Sequence, residues 1–245
     1  MSINFYALII GTEILNARRE DKHFKFVRDE LKKYNEELFA SFIVKDDKEL
    51  MKKSFELIKS DKNSVLFSFG GIGSTPDDLT REVASEVFTR LPLVRHKKFE
   101  KDIIDRFKEK AYPNRIHMSD LPTDAKLLFN EINNMSGFSL NDRFFFTPGF
   151  PEMAHPMIKN VIKNICAKSK KKFRFTLLAK TSEDTLIGQM KLLPPSVELS
   201  SLPVFINKKP QVELSLCGYK EKEVKKYFEL FINELKKFKV DYTLL

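Results

Sequence analysis

The chain has 245 residues, of which 42% are hydrophobic, and a formal charge of +9 at pH 7, which is typical of a foldable, soluble protein. No apolar run approaches the ~18 residues of a membrane span, and Ile3 to Ile10 lacks the flanks of a signal peptide. Cys166 and Cys217 lie in apolar contexts without metal-ligand spacing, which argues against a disulfide framework and a structural zinc site. We therefore expect a cytoplasmic protein with no membrane partner.

Strands alternate with helices along the first part of the chain. Phe5 to Ile10 is a continuous apolar run closed by Gly11, which indicates a strand buried on both faces. The patterns that follow are a helix from Phe24 to Tyr34, a strand from Leu38 to Val44, a helix from Leu50 to Ile58, a strand from Val65 to Phe69, a helix from Leu79 to Phe88, a strand from Phe144 to Thr147 and a helix from Met153 to Ile165. This alternation predicts an α/β fold with a three-layer, mostly parallel sheet.

The pattern changes after a run of lysines at 168–172, which we interpret as a linker. A strand from Phe173 to Leu178, a short helix from Ser182 to Leu192, strands near Val197 and from Val212 to Leu216, and a helix carrying Val224 to Leu235 follow. These elements predict a small α+β domain. We place the two domains at residues 1–167 and 173–245.

The excess of positive charge lies in the second of these domains. Residues 1–167 hold 27 basic and 25 acidic side chains, whereas residues 168–245 hold 16 and 9. Such an excess is typical either of a nucleic-acid surface or of a solvated lysine face. The sequence has no interleaved aromatic motif and no Gly-rich RNA-binding signature, so we expect no nucleic-acid partner.

The most informative segment, GGIGSTPDDLTRE from Gly70 to Glu82, leaves a predicted strand and enters a predicted helix. Its glycines permit a sharp turn and bring backbone N–H groups close to a ligand. Thr75 fits a helix N-cap, Pro76 the first helical position, and Asp78 the third position of a capping box. One interpretation is therefore simply a well-capped turn.

The alternative interpretation is an anion site. Ligands of open parallel sheets bind outside the carboxyl ends of the strands, where backbone N–H groups favour negative charge. Asp77 and Asp78 would repel a bare phosphate, but a divalent metal that bridges Asp78 to the phosphate removes this conflict. The local pattern alone leaves both interpretations open.

Three blocks carry a resemblance to a known family: GTEIL at Gly11 to Leu15, the Gly70 to Glu82 segment, and TPGFP at Thr147 to Pro151. Together with Asp21 they resemble the molybdopterin-binding domain of molybdenum-cofactor biosynthesis proteins, and most closely the N-terminal part of CinA-type competence/damage-inducible proteins. The segment from residue 173 resembles the small module that follows in that family. Full-length members continue with a nicotinamide-nucleotide amidohydrolase domain that this sequence lacks, so we expect no deamidase activity.

The resemblance implies one pocket for the phosphate of a pterin or nucleotide. It implies that Asp46 and Asp78 are the catalytic residues and the ligands of Mg²⁺ or another divalent metal, with molybdopterin as a candidate ligand. The other implied binding residues are Gly11, Thr12, Glu13, Asp21, Gly70, Gly71, Gly73, Ser74, Thr75, Thr80, Glu82, Pro148 and Gly149. We also expect a small-molecule pterin or nucleotide partner and a homo-oligomer.

The first loop departs from the family pattern. Members of the family usually have a glycine near Ala17 and an asparagine near His23. Arg18 and Arg19 in this loop either reach phosphate as bidentate donors or are exposed without a ligand role. Of the isolated histidines, His155 is the best site candidate because it follows the TPGFP block.

Three functions stay open. The resemblance to CinA-type proteins implies a nucleotide pyrophosphatase of the ADP-ribose type, with metal held by Asp46, Asp78 and, as a third candidate, Glu13. The resemblance to the cofactor-biosynthesis proteins implies nucleotidyl transfer to molybdopterin. A non-catalytic binding or assembly module is the third possibility.

Overall fold

The computed structural model describes residues 3–168, 170–206 and 209–245. The chain forms two compact units, of which the first comprises Met1–Lys32 and Glu37–Ile165 and the second comprises Lys33–Glu36 and Cys166–Leu245. The chain therefore contributes four residues to the second unit before it completes the first. Within the described residues, no helix is both long enough and apolar enough to cross a membrane.

The first unit is an α/β domain. Its strands are β1 (Asn4–Ile10), β2 (Leu38–Val44), β3 (Ser64–Phe69), β4 (Leu93–Arg95), β5 (Asp120–Pro122), β6 (Lys126–Leu128), β7 (Gly137–Leu140) and β8 (Phe144–Thr147). Its helices are α1 (Thr12–Leu15), α2 (His23–Lys32), α3 (Lys48–Ser60), α4 (Thr80–Ala84), α5 (Lys97–Phe107) and α6 (Pro151–Lys168). A π-helical turn, Ser85–Thr89, continues α4, and two 3₁₀ turns, Lys108–Ala111 and Arg115–Ser119, follow α5.

A six-stranded sheet with the order β2-β1-β3-β8-β7-β6 runs through this unit. Strands β2, β1, β3 and β8 are parallel, whereas β7 pairs antiparallel with β8, and β6 pairs antiparallel with β7. The predicted α/β fold with a mostly parallel sheet is confirmed. Strands β1 and β3 lie in the interior of the sheet and are buried on both faces, which is why their sequences are apolar without alternation.

The second unit is a small α+β domain. Its elements are β9 (Phe173–Ala179), a 3₁₀ turn (Glu183–Leu186), α7 (Ile187–Met190), β10 (Glu198–Ile206), β11 (Lys209–Gly218), α8 (Glu221–Lys237) and β12 (Tyr242–Leu244). The strands form an antiparallel sheet with the order β10-β11-β9-β12. Helix α8 buries the predicted stripe, with Val224, Phe228, Phe231 and Leu235 in the core. Strand β12 has no counterpart among the elements predicted from the sequence.

Lys172, from the lysine run, is buried within the second unit. Its Nζ lies 2.6 Å from Glu198 Oε2 and 3.6 Å from Glu36 Oε2. Burial lowers the pKa of this lysine, but the two carboxylates outweigh burial, so the pKa is raised. Asn35 Nδ2 also donates to the carbonyl of Lys172 at 3.0 Å. The interpretation of the run as a solvated linker is therefore wrong for Lys172.

Phenylalanine rings form much of the core of the first unit. The ring centroid of Phe146 lies 4.6 Å from that of Phe138, 5.7 Å from that of Phe55 and 5.9 Å from that of Phe88. The Phe146 side chain is fully buried. Removing it would leave a cavity that these rings, packed against one another, could fill only in part.

We expect Phe146→Ala to lower the free energy of unfolding of the first unit by about 3–5 kcal/mol, the usual loss for a buried phenylalanine. The matched control is Phe129→Ala, because Phe129 is 59% exposed and its loss should change stability by no more than about 0.5 kcal/mol. Urea denaturation followed by circular dichroism measures both. Equal losses in the two variants would contradict this account of the core.

Candidate functional site

Three glycine-containing segments follow neighbouring strands of the six-stranded sheet. Gly11 follows β1, Gly70 and Gly71 follow β3, and Gly149 comes two residues after β8. Because β1, β3 and β8 lie side by side and run parallel, their carboxyl ends form one edge of the sheet. The structure thus brings together the three segments that the sequence analysis singled out.

The three segments touch at Gly70. Its φ is +99°, and a Cβ atom there would lie 2.2 Å from the carbonyl oxygen of Ile10. Its N–H donates to the carbonyl of Thr147 at 3.0 Å, and a Cβ on Gly149 would lie 3.4 Å from the Gly70 Cα. Only glycine fits at position 70. The ends of β1, β3 and β8 therefore meet as bare backbone.

Thr80, at the start of α4, fixes the turn after Gly70. Its hydroxyl donates to the Gly70 carbonyl at 2.9 Å, and its N–H donates to the Gly71 carbonyl at 3.0 Å. Gly71 has a φ of +68°, and a Cβ there would lie 2.3 Å from Thr80 Oγ1. The buried Thr80 side chain, an implied ligand contact, is thus engaged in holding the turn.

The predicted helix cap at Thr75 is wrong, because α4 begins at Thr80. Asp78 instead organises the loop before the helix. Its Oδ1 accepts the Gly73 N–H at 2.8 Å, and its Oδ2 accepts the Thr75 N–H at 2.8 Å and the Thr75 hydroxyl at 2.5 Å. Ser74, which lies between Gly73 and Thr75 in the chain, is half-buried. The carboxylate of Asp78 thus satisfies N–H groups of the kind that bind anions in glycine-rich loops.

Arg81 is a site residue that the sequence analysis missed. Only 8% of it is exposed, and its guanidinium donates to the carbonyl of Ile72 within the glycine loop. Burial lowers the pKa of Arg81, and the nearby charges of Asp78 and Asp120 oppose this effect. Arginine nevertheless stays protonated in proteins. A buried positive charge therefore contacts the loop, and the only sequence signal for it is the position of Arg81 next to Thr80.

Thr12 and Asp46 join the ends of β1 and β2. The N–H and the hydroxyl of Thr12 donate to Asp46 Oδ2 at 2.8 and 2.9 Å, and the Gly11 N–H donates to the carbonyl of Val44 at 3.0 Å. Both bonds from Thr12 go to one carboxylate oxygen. Asp46 Oδ1 therefore has lone pairs left for a further partner.

Two implied site residues form ion pairs at the surface. Glu13 lies 3.6 Å from Arg19, and the Arg19 guanidinium lies 5.5 Å from the ring centroid of Phe150, next to Gly149. Glu82 lies 2.5 Å from Lys48 on α3. Because these groups are partly exposed, their ion pairs contribute little to stability. Arg19 and Phe150 lie together at the loop that follows β8.

Asp21 caps helix α2, since its carboxylate accepts the N–H of His23 at 2.8 Å and that of Phe24 at 3.0 Å. His23 in turn reaches the site, with its Nε2 3.3 Å from the Gly149 carbonyl oxygen. His155 Nε2 lies 3.2 Å from His23 Nδ1. The sequence signal for His23 was its place where the family usually has asparagine.

Asp46 and Asp78 are the two implied metal ligands. Among residues 3–168, 170–206 and 209–245, no three His, Cys, Asp or Glu side chains are grouped so that they could hold a metal ion. Mg²⁺ is often bound by one or two carboxylates together with substrate phosphates and water. The spare oxygen of Asp46 suits that kind of site, whereas the carboxylate of Asp78 is more fully used within the protein.

Comparison with known families finds a match over the part of the chain that holds these loops. A family model described as "Probable molybdopterin binding domain" matches residues 6–168. The chain belongs to this molybdopterin-binding domain family. The match spans most of the first unit, including all three glycine-containing segments.

Curated relatives cover the same part of the chain. A "CinA-like protein" from Acaryochloris marina is 29% identical over 164 residues, which are 64% of this chain and 39% of the relative. A "CinA-like protein" from Fusobacterium nucleatum is 27% identical over 157 residues, 63% of this chain and 38% of the relative. The matched part is thus about two fifths of these relatives' length. The crystal structure of the protein CinA from Thermoplasma acidophilum shares the fold, with 22% identity, a TM-score of 0.59, and coverage of 66% of this chain and 98% of that one.

We expect Gly70→Ala to lower the free energy of unfolding by at least about 2 kcal/mol, because it adds strain at positive φ and a clash with the Ile10 carbonyl. The control is Gly188→Ala in α7, where an added Cβ meets nothing within 4 Å and should raise stability by up to about 1 kcal/mol. Thermal denaturation distinguishes the two. A Gly70→Ala variant as stable as the original chain would show that the strand ends do not meet so closely.

Proposed function

We propose that the first unit binds a phosphorylated pterin or a nucleotide at the carboxyl ends of β1, β3 and β8. The observation that carries this proposal is the meeting of bare backbone at Gly70, close in sequence to the N–H donors of Gly73 and Thr75. A floor without side chains lets a flat heterocycle approach, and backbone N–H groups bind anionic oxygens. Membership of the molybdopterin-binding domain family supports a pterin in particular.

A phosphate at this loop has to compete with Asp78. The N–H groups of Gly73 and Thr75 already donate to its carboxylate, so an incoming phosphate either displaces that carboxylate or shares a cation with it. The buried charge of Arg81 favours an anion at this place, because its guanidinium contacts the loop at the carbonyl of Ile72.

We propose Mg²⁺ or another divalent ion as the shared cation, held by Asp46 and Asp78 together with phosphate oxygens. Such an ion would neutralise the repulsion between the carboxylates and the phosphate and would polarise the phosphoryl group. Asp46 supports this proposal through the Oδ1 atom that its bonds to Thr12 leave available. The residues of the chain would bind and orient the phosphate.

A second candidate function is metal-dependent hydrolysis of a dinucleotide pyrophosphate such as ADP-ribose. The favouring observation is that carboxylates follow the ends of strands whose loops also supply backbone N–H donors. Water would attack one phosphorus atom, and the bridging P–O bond would break to give AMP and ribose phosphate. In nucleotidyl transfer from ATP, an oxygen of the pterin phosphate would attack the α-phosphorus atom in place of water, and the bond to pyrophosphate would break.

The expected homo-oligomer also stays a proposal. Strand β2 supports it, because it is an edge strand of the six-stranded sheet and exposes Phe39 and Ile43. Exposed apolar edge strands commonly pair with another chain.

We expect Asp46→Asn to remove most of the gain in ligand affinity that Mg²⁺ provides. The affinity measured with Mg²⁺ should fall by about tenfold or more, because a charged carboxylate oxygen makes stronger bonds than a neutral amide oxygen. Asparagine keeps an oxygen that can accept from Thr12, so the fold should survive. The control is Asp47→Asn, because Asp47 caps α3 through the Leu50 N–H and asparagine caps equally well. Calorimetric titration with ADP-ribose and with a pterin phosphate, with and without Mg²⁺, measures the effect.

We expect the purified chain to release AMP from ADP-ribose slowly and only with a divalent metal, because the pocket has no strong protein nucleophile and an ion held by Asp46 and Asp78 would activate water for the attack. The assay offers ADP-ribose, flavin dinucleotide and nicotinamide dinucleotide with Mg²⁺, Mn²⁺ or Co²⁺. No AMP from any of them overturns the hydrolase candidate. A pterin that co-purifies, seen by fluorescence after acid oxidation, would support binding, and nucleotide transfer from ATP to a pterin phosphate would support the biosynthetic alternative.

A further inference from the structure

His23 and His155 form a hydrogen-bonded pair next to the Gly149 loop. His23 Nε2 lies 3.3 Å from the Gly149 carbonyl oxygen, and His23 Nδ1 lies 3.2 Å from His155 Nε2. The pair joins the first turn of α2 to α6 and reaches the loop that follows β8. Because Gly149 packs against Gly70, a shift of this loop would change the floor of the site.

The Gly149 carbonyl fixes the protons of the neutral pair. A carbonyl oxygen only accepts, so His23 Nε2 carries a hydrogen and donates it. In the neutral ring His23 Nδ1 is then an acceptor, and His155 Nε2 must be the donor to it. Each ring thus sets the tautomer of the next, and the chain of donors ends on Gly149.

Aromatic packing holds both rings in place. His23 is 3% exposed and stacks on Phe69 at 4.2 Å between ring centroids. His155 stacks on Phe26 at 3.8 Å, with 5° between the ring planes. The rings can therefore change their protonation more easily than their orientation, since rotation would break close packing.

We propose that His23 and His155 are positioning residues for the ligand site, and that together they hold the Gly149 carbonyl through a pair that accommodates one proton but not two. With one added proton, a hydrogen still lies between His23 Nδ1 and His155 Nε2 in either tautomeric arrangement. With two, N–H groups face each other across 3.2 Å and repel. This inference rests on the proposed function, because it concerns the same pocket.

The surroundings keep the pair from taking up protons near neutral pH. Burial lowers the pKa of His23 below 6.5, against the opposing effects of the Gly149 carbonyl, Asp21 and Glu152, whereas Arg19 lowers it further. Burial and the neighbouring His23 lower the pKa of His155 to about 4, against Glu152 and Asp21. Unfolded histidines titrate near 6.5, so the contribution of the pair to stability is complete above that pH and is lost as the pH falls to about 4.

The test uses the whole chain with ADP-ribose as the probe, titrated between about pH 7.5 and pH 4. We expect the affinity of the original chain to fall at the acid end. His155→Gln keeps a donor to His23 Nδ1, its amide nitrogen, so it should lose less affinity at neutral pH than a variant without a donor and should lose most of the acid sensitivity. His155→Phe keeps the stacked ring and removes the donor, and should bind about fivefold more weakly at neutral pH, as expected for one lost hydrogen bond.

The control variant is His117→Gln, since the His117 side chain is 63% exposed and pairs with Asp120 outside the glycine loops; it should behave as the original chain. If the acid profile of His155→Gln matches the original, the positioning role is wrong. If ADP-ribose does not bind at neutral pH, the proposed function fails for this ligand, and nuclear magnetic resonance decides the positioning role alone. The amide signals of Gly149 and Phe150 must then follow the imidazole titration in the original chain but not in His155→Gln; otherwise the inference is overturned.

Discussion

The close approach of three strand ends at Gly70 is the constraint on which the rest of the site depends. The Ile10 carbonyl leaves no room for a side chain at position 70, and the Thr147 carbonyl takes its N–H. This contact sets where the chain leaves β3 and therefore where the Gly73 to Asp78 loop begins. The Gly149 loop packs against the same point, so a shift of one strand end would displace the other two.

The glycine loop is organised around a negative charge of its own. Asp78 accepts hydrogen bonds from the N–H groups of Gly73 and Thr75 and from the Thr75 hydroxyl, and the buried Arg81 guanidinium donates to the carbonyl of Ile72, just before Gly73. A loop held in this way keeps its N–H groups convergent without a ligand, so binding costs less ordering of the chain. The same arrangement means that affinity depends on exchanging one anion for another, and so on the charge of the ligand.

Long, continuous patterns in the sequence predicted the fold well. The unbroken apolar runs of β1 and β3 indicated interior parallel strands, and their ends indicated the edge where Ile10 and Gly70 meet. No element was predicted in residues 90–143: β4, β5, β6 and β7 have three or four residues each and show no clear period, and the longer helix α5 was missed as well. The cap predicted at Thr75 failed because its signal was local, whereas the contacts of Thr80 with Gly70 and Gly71 decide where α4 begins.

Contacts between distant parts of the chain were beyond the reach of sequence patterns. His23 and His155 are 132 positions apart, and each alone gave a weak signal. Lys172 stood in a run of lysines that indicated solvent, but Glu36 and Glu198 make its burial possible. The motif identified Asp78 as a site residue. That its carboxylate accepts from Gly73 and Thr75 follows only from the three-dimensional path of the loop.

The contribution of Lys33–Glu36 to the second unit has a consequence for dividing the chain. The second unit consists of two separate stretches of the chain, so no single cut in the backbone releases it intact. A fragment that starts at Cys166 would keep Glu198 but lose Glu36, and with it one of the two carboxylates beside the buried Lys172. A buried charge with less compensation destabilises its surroundings. The C-terminal unit thus depends on a segment that the ribosome completes long before the rest of that unit exists.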